Sequence, residues 1–143
     1  MIFDITQGDN DMKRLILILI SIWFDLIKSG DKTEEYRMIR PYWVNRFIDD
    51  GFLDSFKAIT YDRENEDEYA RQVYHLVIQY ARQGINVFKR FDELEFTKGY
   101  PRKEDAGRRM VKQKPEICIG YGLESMGAIP NKLYFVITWK MED

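Results

Sequence analysis

The chain of 143 residues has a single cysteine, Cys118, and a single histidine, His75. One thiol excludes an intramolecular disulfide and any cysteine-rich zinc site. Cys and His together supply too few ligands for a metal site of their own, so no metal is expected, and no cofactor either. A Ser-His-Asp or Cys-His triad would have to run through His75. An excess of one charge sign is missing too. Lys and Arg number 22 against 24 Asp and Glu, a net charge of −2. The global basic field behind non-specific nucleic-acid binding is therefore absent, which leaves only local basic patches. Nor does any apolar run reach the roughly 20 residues of a membrane span. Met12-Lys13-Arg14 followed by Leu15 to Ile20 imitates the start of a signal peptide. Asp25 and Lys28 interrupt the run, however, and no small-residue cleavage site follows. A cytoplasmic chain without a membrane partner is expected.

What is present suits one globular domain: 45% hydrophobic and 15% aromatic residues. Residues 1–11 read as a flexible N-terminal arm. The unbroken Leu15–Ile20 run predicts a strand buried on both faces. Trp23, Leu26 and Ile27 share a helical face, and Gly30 suits the stop of that helix. Lys32 to Ile39 reads as extended. Pro41 suits the first position of a second helix, with Trp43, Phe47 and Ile48 inward and Gly51 as its end. Phe56 to Tyr61 reads as a strand. Glu64 to Gln83 is the clearest helix, with Tyr69, Val73, Leu76, Val77 and Tyr80 on one stripe. Asp62 is its expected cap, and Glu64, Glu66, Asp67 and Glu68 favour its N-terminal dipole. Strands follow over Val87–Phe96, Met110–Ile119 and Leu133–Trp139, with a turn at Pro130-Asn131. The order implies an α+β fold, a small mixed β-barrel decorated by helices.

The segment from Ser29 to Arg37 fits G-x-K-x-x-E-x-R through Gly30, Lys32, Glu35 and Arg37. It follows an apolar strand and the run WFDLI, and Pro41-Tyr42-Trp43 with Arg46 comes next. Later stand Phe96-Thr97-Lys98-Gly99-Tyr100, then Ile117 to Gly122, then Met126-Gly127-Ala128, then Tyr134 to Ile137. In this order the segments resemble those of the ASCH domain, a relative of the RNA-binding PUA domains. The resemblance spans roughly residues 12–140, less a stretch at about 51–87. It implies a single PUA-like ASCH domain over 12–143, with an inserted amphipathic helix at about 51–87. It also implies an RNA- or nucleotide-binding cleft at the motif. Met126 departs from the Trp that related proteins tend to carry. Glu35 stands where small ASCH amidohydrolases acting on N4-acetylcytidine carry a Thr nucleophile, served by the motif Lys as base. Their downstream catalytic Glu has no position to which it can be assigned here.

Residue chemistry leaves two readings of the motif. Lys32, Glu35 and Arg37 can form an ion-pair network closing the barrel mouth, or line a ligand cleft. Arg37 offers a planar donor fork for phosphate or a base edge. Lys32 can meet phosphate or act as a base, and Glu35 can accept from a base amino group or activate water. Between Lys98 and Lys114 lie seven cations, among them Arg102, Arg108 and Arg109, with Tyr100 in their midst. Such a loop can track a phosphate backbone and stack a base. Trp23, Trp43 and Trp139 read as core, His75 as exposed and Cys118 as buried and inert. The leading function is an RNA- or nucleotide-binding module that uses Lys32, Glu35, Arg37, Tyr100, Arg102, Arg108 and Arg109. One alternative is a hydrolase of a modified nucleoside, or a nuclease, with Lys32 as base and Glu35 activating water. Another is a protein-interaction module that docks through the inserted helix.

Overall fold

Successive side chains of a strand point to opposite faces, so an alternating burial pattern marks a sheet with one covered side. In the computed structural model, which describes residues 12–141, the Leu/Ile run forms such a strand. Leu15, Leu17 and Leu19 are buried, while Ile16 and Ile18 are exposed. The expected burial on both faces is therefore corrected to one. The arm expected over residues 1–11 lies outside the described residues.

The described elements run β1 (Arg14–Leu19), α1 (Ser21–Ser29), β2 (Glu35–Met38), α2 (Pro41–Phe47), α3 (Leu53–Lys57), α4 (Glu66–Ala81), β3 (Glu93–Lys98), β4 (Arg109–Gln113), β5 (Glu116–Tyr121) and β6 (Leu133–Thr138). The fold class is α+β. The strands form two three-stranded sheets, β1-β3-β4 and β2-β6-β5, and a closed barrel is not among the described ladders. Two compact units result. One holds residues 12–32, 90–116 and 139–141, and the other 33–89 and 117–138. Among the described residues, no helix is long and apolar enough to cross a membrane.

In the first unit, β1 runs parallel to the central strand β3 and β4 runs antiparallel to it. The register pairs Leu15 with Leu94 and Leu17 with Phe96, all four buried. Trp139 meets Phe96 edge-on at 5.2 Å, and Phe24 and Ile27 of α1 complete the apolar set. Gly30, at φ 90°, ends α1 by donating its N–H to the Ile27 carbonyl. Only glycine takes that conformation without a side-chain penalty. The other face of β3 carries two buried carboxylates, Glu93 and Glu95. Arg14 donates through Nε to Glu93 at 2.8 Å and through Nη1 to Glu95 at 3.3 Å. Gln113 donates to Glu93 at 3.2 Å, and Arg109 lies 3.5 Å from Glu95. Both flanking strands thus supply the partners that buried carboxylates require.

In the second unit, the central strand β6 receives β2 antiparallel, with Arg37 opposite Phe135. Phe135 is fully buried, with Phe47 edge-on at 5.2 Å and Phe88 at 6.2 Å. Helix α4 packs on β6 and buries Tyr69, Ala70 and Val73. Its stripe is as expected at that end, but Leu76 and Tyr80 are only half-buried. Asp62 caps a 3-10 turn over Arg63–Asn65, and Asn65 then caps α4 by accepting from the Glu68 N–H at 3.3 Å. Arg40 pairs with Glu66, and Lys132 lies 3.7 Å from Asp67.

Three expected strands are revised. Phe56 lies in α3, not a strand, and its ring stacks 6.3 Å from Tyr80. Leu53 and Phe56, three residues apart, share the buried face of that helix, and their burial outweighs the weak alternation of Phe56–Tyr61. Val87 and Phe88 are buried, but the strand expected from Val87 begins only at Glu93. The strand expected over Met110–Ile119 is two strands in different sheets. Lys114 adopts φ 51° and Pro115 has no N–H to donate, so the ladder breaks between them.

Val73→Ala should cost about 2 kcal/mol in urea unfolding, since Val73 is fully buried. His75→Ala, at an exposed position, should be nearly silent. A second test concerns acid. The hydrogen bond from Arg14, followed by that from Gln113, holds the Glu93 carboxyl below its usual range. Its contribution is therefore present above the unfolded value of about 4.3 and is lost as pH falls through the folded one. The melting-temperature gap between wild type and Glu93→Gln should narrow from pH 6 to pH 3.

Candidate ligand-binding site

Alternation along β2 gives its two faces different work. Tyr36 and Met38 point to a small apolar cluster with Ala128, Tyr134 and Val136. The Tyr36 hydroxyl donates to Glu34 at 2.6 Å and accepts from the Leu123 N–H at 2.9 Å. Burial, and then the bond to Glu34, push its pKa up to about 12. Gly122 lets this ring lie against the backbone. A Cβ there would sit 2.5 Å from Ala128 Cβ and 2.7 Å from the Tyr36 ring. Close approach is thus what requires glycine at this position.

The opposite face holds Glu35 and Arg37. Glu35 is 7% exposed and accepts from Arg37 Nη2 at 2.9 Å. The Arg37 guanidinium lies 5.0 Å from the centre of the Trp43 ring. Trp43 in turn stacks on Phe47 at 5.2 Å. Helix α2 sets this column, because Trp43 and Phe47 are four residues apart and share a face. Pro41 fits the first turn, where its missing N–H costs nothing. Tyr42 meets Trp43 edge-on at 4.8 Å and is 59% exposed. Arg46 lies 5.9 Å from both the Tyr42 and the Trp43 ring and donates to the Tyr42 hydroxyl at 3.2 Å. Among the described residues no carboxylate forms an ion pair with Arg46. Two guanidiniums thus lie 5.0 and 5.9 Å from the centre of one indole, with a carboxylate on only one of them.

The unit boundary falls between Lys32 and Thr33. Lys32 belongs to the first unit, 2% exposed, with its Nζ 5.0 Å over the Trp23 ring. Its N–H donates to the Leu26 carbonyl at 3.0 Å. In the second unit, Thr33 donates to the Met126 sulfur at 3.8 Å. The basic loop of the first unit largely serves itself. Arg108 donates twice to the Lys98 carbonyl, and Arg109 reaches the Pro101 and Arg102 carbonyls. Arg102 bonds to Asp105 at 3.4 Å and lies 3.5 Å from Glu104, and Lys98 pairs with Asp25 at 3.0 Å. Tyr100 stands out at 88% exposed.

Three side chains differ from their expected settings. Cys118 is exposed on β5, since the buried face of that strand is the one Ile117 occupies. Trp23 and Trp43 are half-buried cation partners, whereas Trp139 is core. Tyr42 and Arg46 were not among the expected site residues. Their i, i+4 spacing behind a helix-starting proline is the signal that could have found them. Comparison of the chain with family models, with curated proteins and with solved structures finds no match.

Burial also pushes the Tyr69 pKa up to about 12. Two of the nine tyrosines should therefore ionise near pH 12 in a spectrophotometric titration. The neutral phenol is the favoured folded form, so this stabilisation is full below the unfolded pKa of about 10 and is lost as pH rises through 12. Gly122→Ala should destabilise by about 1–3 kcal/mol and return Tyr36 toward 10, because the ring must leave its seat.

Proposed function

We propose that the chain is an ASCH-type, PUA-like module that binds RNA or a nucleotide at the Glu35–Arg37 face of β2. One observation carries the reading. Arg37 and Arg46 both lie on Trp43, and only Arg37 bonds a carboxylate, so a local cationic and aromatic patch exists on a chain of net charge −2. A guanidinium has five donors and can serve Glu35 and a phosphate together. Glu35, fixed by that bond, can accept from the amino group of a base. The order of the motif segments and the α+β class support the family reading. Lys32, Tyr100, Arg102, Arg108 and Arg109 belong to the other unit. The three arginines there already serve loop carbonyls and acids, so the proposal rests on Glu35 and Arg37.

The hydrolase reading has less support, because Glu35 holds Arg37 rather than standing open to activate water. The docking reading of the inserted helix is weakened as well. Tyr69, Ala70 and Val73 of α4 are spent on packing within its own unit.

Titration of labelled single-stranded RNA and of mononucleotides at two salt concentrations tests the proposal. Arg37→Ala should weaken binding for all sequences and lower the salt slope by about 1. Glu35→Gln should alter preference among bases more than overall affinity. Turnover of N4-acetylcytidine should be slow or absent, because a carboxylate stands in the nucleophile position. RNA binding that is unchanged in Arg37→Ala would refute the site.

A further inference from the structure

We infer that Tyr42 and Arg46 form a subsite for one unpaired base and its phosphate, so that the ligand is single-stranded nucleic acid. The inference rests on the nucleic-acid reading above and adds the strandedness of the ligand and two residues that recognise it. Tyr42 is the exposed member of the aromatic column, yet it is not loose. Its ring is set edge-on against Trp43 at 4.8 Å, and its hydroxyl accepts from Arg46 at 3.2 Å. A ring held at one edge and at its tip presents a face with little further ordering to be lost on binding.

Arg46 differs from the other paired surface cations. Arg40, Arg71, Lys98 and Arg102 each meet a carboxylate within 4.0 Å. Arg46 instead meets two aromatic rings and a phenol oxygen, none of which cancels its charge. An anion is the partner that would do so. A phosphate attached to a base satisfies both features at once, the charge at Arg46 and the π-face at Tyr42. In a duplex the base faces are already stacked, so this subsite takes only an unpaired base.

The experiment measures anisotropy of a labelled single-stranded RNA, of the same sequence as a duplex, and of a labelled mononucleotide. Proteins are wild type, Tyr42→Ala, Tyr42→Phe, Arg46→Gln and Arg37→Ala. Tyr42→Ala should weaken single-strand binding roughly tenfold, and Tyr42→Phe should largely retain it. Arg46→Gln should weaken it and lower the salt slope by about 1. The melting temperatures of the Tyr42 variants should stay near wild type, because the side chain is exposed. The duplex should bind more weakly than the single strand. If Tyr42→Ala and Arg46→Gln bind as wild type while Arg37→Ala fails, the subsite is wrong and the motif reading stands. Equal binding of duplex and single strand overturns the strandedness. If wild type binds none of the probes, both readings fall.

Discussion

The burial of Phe135 on the central strand of the second unit is the contact on which the candidate site depends. Phe47 sits edge-on against it, Trp43 stacks on Phe47, and Arg37 lies on Trp43. The column runs from a fully buried ring to a half-buried cation without a gap in packing. Arg37 is also the ladder partner of Phe135, so the same strand pairing that makes the core places the guanidinium. Site geometry here is a by-product of core geometry. A core residue moved by one register would carry the whole cationic face with it.

The first unit solves a different problem. Its central strand buries carboxylates where an apolar strand would be simpler, and it draws their partners from both neighbours. Strand order is thereby encoded in charge as well as in shape. Only a sheet with β3 in the middle gives Glu93 both Arg14 and Gln113. Buried ion pairs contribute little net stability but penalise alternatives that separate them.

How much of this the sequence declares depends on the range of the interaction. Local signals read well: Gly30 as a helix stop, Pro41 as a helix start, the α4 stripe at Tyr69 and Val73, and the Asn131 turn at φ 61°. Contacts distant in sequence do not. The Leu/Ile run suggests two buried faces, and only its place at the side of β3 leaves Ile16 and Ile18 outside. Phe56 becomes helical through Tyr80, and Glu95 is buried through Arg14 and Arg109. At the site, motif spacing singled out Glu35 and Arg37. The surroundings of Arg37 depend on a helix whose residues alternate between core and surface within one turn, and Trp43 serves as both. Hydropathy alone assigns such a residue to the interior.

The chain passes between its two units after Lys32, Lys89, Glu116 and Thr138, so neither unit is one continuous piece of sequence. During synthesis, β1 emerges long before β3, its ladder partner, and Phe96 precedes the Trp139 that covers it. The first unit must therefore wait, with Leu15, Leu17 and Leu19 uncovered, while the intervening residues leave the ribosome. Strand β1 is thus open to chaperones and to other nascent chains for as long as β3 is unmade.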